Sequence, residues 1–137
     1  MIRLINIKEM EILKEDPVRP NVDKTGKGKQ VYVLDDLSAV VCVCYCKDVP
    51  TTEIELEEYK EEYGDIAVAY TVWSNKPGAG REIIFELRDL FIDAGSVDRL
   101  ITMSPKTEMA KRFHERNGAT LLQDNAESYN FEYKLKR

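Results

Sequence analysis

The residues best suited to hold a charged ligand lie between Ser74 and Arg81, in the order Ser-Asn-Lys-Pro-Gly-Ala-Gly-Arg. Gly78 and Gly80 let a backbone bend closely around a guest. The first N–H groups of a helix starting here have no internal acceptor and point outward, which suits a phosphate. Arg81 opposes the helix dipole but adds a positive charge suited to a pyrophosphate. A plain Gly/Pro turn joining a strand to a helix fits the same spacing equally well. A P-loop does not, because no Lys-Ser or Lys-Thr pair follows the glycines. The chain has a single histidine, His114. An imidazole titrates near neutrality and can move a proton; it can equally be a helix histidine bonded to a neighbouring carboxylate. One histidine makes a zinc hydrolase site improbable, and a Ser-His-Asp site lacks its nucleophile elbow.

These residues need elements to position them. Ile66 to Trp73 is apolar, β-branched and aromatic without polar alternation, which predicts a strand buried on both faces and central in its sheet. From Ile83 the apolar residues Ile84, Leu87, Leu90, Phe91 and Ala94 follow helical spacing, and Gly95 stands where a left-handed C-cap belongs. The loop at Ser74 to Arg81 therefore joins a buried strand to an amphipathic helix.

Elsewhere, Ile2 to Ile5 reads as a short strand, followed by a helix from an Asn6/Glu9 capping pair to about Glu15. Pro17 to Gln30 has two prolines, two glycines and the Lys24, Lys27, Lys29 cluster, and is expected to be a solvated loop. Val31–Leu34 and Ala39–Lys47 form a predicted hairpin. Thr52 opens a short helix whose glutamates give it an acidic face, read as a solvated surface or as an attractor for cationic substrates. Val97 to Met103 is a further strand. Ser104 with Pro105 is read as the start of a helix buried along Met109, Ala110 and Phe113, with His114 beside that stripe and Gly118 ending it. Ala119–Gln123 and Tyr129–Leu135 are the last two strands. The order β, α, β, β, short helix, β, α, β, α, β, β favours an α+β fold: a mostly antiparallel, mixed twisted sheet with a central parallel strand pair and flanking helices.

A length of 137 residues suits one domain, over 1–137. No apolar stretch reaches the roughly 20 residues of a membrane span, and the N-terminus lacks a secretory pattern, so a cytoplasmic protein without membrane contact is expected. A formal net charge of −5 argues against broad nucleic-acid affinity. Cys42, Cys44 and Cys46 share one face of a strand, at a spacing of about 6.6 to 7 Å that suits neither a disulfide nor adjacent ligands of one zinc, and are read as reduced, packed thiols.

With the motif residues in view, the chain resembles the GNAT superfamily of acyl-CoA N-acyltransferases. That family places Arg or Gln, two residues, Gly, one residue, then Gly or Ala between its fourth strand and third helix. Asn75, Gly78 and Gly80 fall on this frame, with Asn75 departing from it. Ser104, Pro105, Ala110, Phe113, Gly118 and Ala119 follow a second family frame, in which His114 takes the place of a tyrosine. The resemblance covers about Ala67 to Ala119 and implies acetyl-CoA as cofactor. It implies that Val72 and Trp73 pair with the pantetheine arm. Asn75, Lys76, Gly78, Ala79, Gly80 and Arg81 would hold the pyrophosphate, and Ser104 would complete the binding site. It implies direct acetyl transfer to a primary amine of a small molecule or peptide within a ternary complex, with His114 as donor to the departing thiolate. A base for the ammonium proton is also needed, and Glu53, Glu55, Asp65, Glu127, Glu132 and Tyr129 are candidates. The alternative is a catalytically inactive GNAT-fold binding or accessory protein, for instance a viral one. A homodimer is left open.

Overall fold

The computed structural model describes residues 1–136. The described elements follow the expected order: β1 (Ile2–Leu4), a 3-10 helix (Ile7–Glu15), β2 (Lys29–Leu34), β3 (Ala39–Cys46), α1 (Glu53–Tyr59), β4 (Ile66–Ser74), α2 (Ala79–Ala94), β5 (Arg99–Thr102), α3 (Glu108–Arg116), β6 (Thr120–Asp124) and β7 (Tyr129–Tyr133). The seven strands form one mixed sheet in the order β1-β2-β3-β4-β5-β7-β6, in which only β4 and β5 are parallel. β4 is central and buried on both faces from Ile66 to Thr71, because its apolar run offers both sides of the pleat to the core.

α2 covers one face. Its stripe Ile83, Ile84, Leu87 and Phe91 is fully buried with Val41, Val43, Ala67 and Leu100, and Gly95 closes it in the left-handed region with φ of 62°. The opposite face packs Val40, Cys42, Cys44, Cys46, Val68 and Ile101 under Leu56 of α1, with Ile12 and Leu13 of the 3-10 helix at its margin. The three cysteines are free and buried, as read from their spacing. Among the described residues no helix is long and apolar enough to cross a membrane, and no group of His, Cys, Asp or Glu could hold a metal ion.

Two expectations are corrected here. The segment after the 3-10 helix is only in part a solvated loop: Pro20, Asn21, Asp23, Thr25 and Lys27 are exposed, but Arg19, Lys24 and Lys29, with Asp16 just before them, are buried. Their polar groups are tied into the fold, Lys29 Nζ to the Glu57 carboxylate and to Asp23 O, and Lys24 Nζ to Arg19 O at 2.9 Å. Moreover, α3 begins later than Ser104 suggested. Thr107 is its N-cap, accepting from Ala110 N–H at 3.1 Å, while Ser104 exchanges backbone hydrogen bonds with Tyr129 as an extra rung of the sheet.

Candidate functional site

The parallel ladder between β4 and β5 stops early. Its pairs run from Ile66↔Arg99 to Ala69↔Thr102, and Met103 N–H makes a further bond to Ala69 O at 3.1 Å. On the other edge of β4, Cys42 pairs with Thr71 and Val43 with Ala69, so Tyr70 is an extra residue without a partner on β3. Such a bulge bends its strand and increases the local twist. β4 therefore leaves β5 just beyond Ala69. Arg19 supplies donors where the ladder ends, with Nε to Tyr70 O at 2.9 Å and Nη2 to Met103 O at 2.7 Å. Asp16 holds the same loop in place, accepting from Val18 N–H at 2.7 Å, Arg19 N–H at 3.0 Å and Thr71 Oγ1 at 2.9 Å.

The divergence opens a cavity of about 560 Å³. Ala69, Val72, Trp73, Ser104, Phe113 and His114 line it, and Pro17 and Val18 reach it from the loop after the 3-10 helix. A second cavity of about 580 Å³ lies at the start of α2, bordered by Ser74 to Gly78, Gly80, Arg81 and, from α3, Phe113, Arg116 and Asn117. Ser74, Gly80 and Phe113 line both, so the two spaces meet at that point. Gly80 is needed there: a Cβ would lie 3.2 Å from Phe113 Cε1. Gly78 has φ of 83°, which only glycine adopts without strain, and it turns the loop into α2.

The predicted ligand loop is only partly free. Asn75 N–H donates to Ser38 O at 2.9 Å and Ala79 N–H to Lys76 O at 3.1 Å, so these two amides face protein carbonyls. Ala79 is buried and borders neither cavity. The N–H groups of Lys76, Gly78, Gly80 and Arg81 have no acceptor among the described residues, and with the side chains of Lys76, Arg81 and Arg116 they make a positive, donor-rich rim. Arg116 and Asn117 were not singled out from the sequence, because nothing in their spacing places the end of α3 beside the start of α2.

His114 is not at the edge of the α3 stripe. It is the buried residue of that helix, whereas Met109 is exposed and Ala110 and Phe113 are half-buried. Its ring lies 5.4 Å from Phe131 in a stacked arrangement and 5.0 Å edge-on to Phe113, and Nδ1 is 2.7 Å from Tyr133 Oη. Burial pushes the imidazole down to about 4, so at neutral pH the ring is uncharged. That corrects the expectation that His114 titrates near neutrality. Ser104, also buried, donates through Oγ to Thr102 Oγ1 at 2.8 Å and borders the cavity.

Several carboxylates considered as bases already have partners. Glu53 takes Arg19 Nη1 at 2.9 Å, Glu55 takes Thr51 N–H at 2.8 Å and Thr51 Oγ1 at 2.6 Å, and Glu132 is held by Arg99 Nε at 2.9 Å and Nη2 at 2.8 Å. Their hydrogen bonds hold Glu55 and Glu132 below the usual carboxylate range. Asp65 precedes β4, at the end away from the divergence. Tyr129 lies under Lys106 Nζ at 5.0 Å, and neither Tyr129 nor Glu127 borders either cavity.

No protein-family model matches the chain, and the comparison with curated proteins finds no match. Solved structures do match. The loading GNATL domain of CurA from Lyngbya majuscula is 12% identical, with 98% of this chain and 97% of that one covered and a TM-score of 0.69. AtaT complexed with acetyl-methionyl-tRNAfMet is 8% identical over 98% and 94% of the two chains, with a TM-score of 0.58. AtaTR bound with AcCoA is 12% identical over 96% and 91%, with a TM-score of 0.55. At such identities the likeness is one of architecture, and that architecture includes the parallel pair β4 and β5 within an otherwise antiparallel sheet. The chain has the GNAT fold.

Proposed function

We propose that this chain is an acyl-CoA-dependent N-acyltransferase that transfers an acetyl group to a primary amine in a ternary complex. The observation that carries the reading is the continuity of two spaces: a rim of unpaired amides and basic side chains at the start of α2, of which Lys76 lies 3.6 Å from Asp36, opens past Gly80 into the divergence of β4 and β5 where His114 lies. A cofactor with an anionic head and a long, narrow arm fits that shape. The N–H groups of Lys76, Gly78, Gly80 and Arg81, with the side chains of Lys76, Arg81 and Arg116, would hold the pyrophosphate. Val72, Trp73 and Ser104 would flank the arm. Asn75 and Ala79 would contribute loop geometry rather than amides. Coenzyme A, when bound, supplies the acyl group as a thioester. His114, uncharged, would offer that group a hydrogen bond rather than a proton.

The acceptor is proposed to be an amine on a small molecule or a peptide, or an amine carried by a tRNA, since the neighbour AtaT is seen complexed with acetyl-methionyl-tRNAfMet. The net charge of −5 favours the first two. A cytoplasmic setting, where acetyl-CoA is made and used, fits this reading. The neutral state of His114 favours a second reading, a protein that binds coenzyme A without turning it over.

Calorimetry with acetyl-CoA tests the binding step. Saturable binding that is lost in the Gly78→Val/Gly80→Val double variant supports the site, and binding unchanged in that variant refutes the loop assignment. Thiol release in the presence of a panel of amines then separates an acyltransferase from a protein that only binds, for which no amine would raise release above the background.

A further inference from the structure

We infer that Tyr133 is the positioning residue that sets the tautomer of His114, its phenol O–H donating to Nδ1 so that the ring presents an Nε2–H donor to the cavity. Two geometries are compatible with a 2.7 Å contact between Nδ1 and Tyr133 Oη, and they differ in which atom carries the proton. The surroundings decide between them. Tyr133 is buried on β7, and among the described residues its hydroxyl has no hydrogen-bond partner other than Nδ1. If Nδ1 carried the proton, the phenol would be left with a buried O–H and no acceptor, which carries the full desolvation cost of that group. If the phenol donates, its O–H has an acceptor and the remaining imidazole proton sits on Nε2, the nitrogen left for the cavity. Burial raises the pKa of the phenol, so it keeps its proton at neutral pH, and Arg88 of α2 only partly opposes that shift; a guanidinium has only donors and cannot take the proton.

The ring has little freedom to answer in another way. Phe131 stacks on it, while Phe113 and Tyr133 meet it edge-on. With Nδ1 taken by Tyr133, Nε2 is the nitrogen left for the cavity that His114 lines. An imidazole fixed in this way gives a directed hydrogen bond, and no proton leaves it. The inference rests on the proposed acyltransferase reading only for what that donor meets: the sulfur or the carbonyl oxygen of a thioester.

The chain has a single histidine, so a histidine-labelled sample gives one imidazole pattern. Long-range proton–nitrogen correlation spectra of the ligand-free protein at neutral pH are expected to show a pyridine-like Nδ1 and a pyrrole-like Nε2. In Tyr133→Phe, which removes only the hydroxyl, the two nitrogens are expected to move toward a mixture of tautomers. A pyrrole-like Nδ1 in the native protein overturns the inference, as does an unmoved pattern in folded Tyr133→Phe. The native spectrum decides the tautomer even if the variant fails to fold. In amine-dependent thiol release, Tyr133→Phe is expected to lower kcat about tenfold at an unchanged Kd for acetyl-CoA. An unchanged kcat removes the positioning role. Failure of acetyl-CoA to bind would refute the acyltransferase reading and leave the ligand-free spectrum to decide the tautomer.

Discussion

Lys24 Nζ lies 3.0 Å from Asp16 Oδ2, with the carboxylate fully withdrawn from solvent and the ammonium nearly so. Burial raises the Asp16 carboxyl, but the N–H groups of Arg19 and Val18, then Lys24 and Thr71, outweigh it and hold the group below its ordinary value. Removing one partner of such a pair leaves an uncompensated buried charge. Lys24→Met is therefore expected to cost about 3–5 kcal/mol in urea unfolding, and Asp16→Asn combined with Lys24→Met is expected to recover part of that loss. Additive losses in the double variant would show that the two groups act independently.

Arg19 makes a second prediction. Its guanidinium serves Tyr70 O and Met103 O, two carbonyls at the end of the parallel ladder. Arg19→Met should leave them unpaired at about 1–3 kcal/mol each, and should speed hydrogen exchange at Met103 N–H, the last amide of that ladder. Faster exchange confined to β1 and β6, at the sheet edges, would contradict this.

The two loop glycines should fail differently. At Gly78 a Cβ meets nothing within 4 Å, so Gly78→Ala is expected to cost about 1 kcal/mol from its positive φ alone. At Gly80 a Cβ would press on Phe113 at 3.2 Å, so Gly80→Ala should narrow the junction of the cavities. A thermal shift for the first and a weaker acetyl-CoA Kd for the second are the expected signatures.

Stability should also depend on pH through His114. Its folded value of about 4 lies below the ordinary 6.5, so the folded state resists protonation more than the unfolded chain does. The contribution is complete above pH 6.5 and is lost progressively as pH falls toward 4, in all about 3 kcal/mol. Urea titrations at pH 7 and pH 5 should show a smaller difference in His114→Phe than in the native protein.

Much of the fold was legible because periodicity is a local property. The unbroken apolar run from Ile66 and the helical spacing after Ile83 located β4 and α2, and the glycines between them marked the loop. What the sequence hid depends on contacts between distant segments. Asp16 and Arg19 lie at the start of a stretch whose prolines, glycines and lysines suggest solvent, yet their partners Tyr70 and Thr71 in β4 and Met103 just past β5 come some 50 to 85 residues later. His114 appeared half-exposed because Met109 and Phe113 looked like the buried side of α3. The helix is instead rotated so that the imidazole meets Phe131 and Tyr133 of β7.

Tyr70 has one more consequence. Val68 and Tyr70 point to the face of α1, as alternation requires, but Val72 belongs with the face of α2 and Trp73 with the other. One additional residue has thus inverted the parity of the strand's final third. Deleting it would restore an unbroken zigzag in which Val72 and Trp73 keep the compartments they already occupy, and would remove the reason for the neighbouring strand to part company.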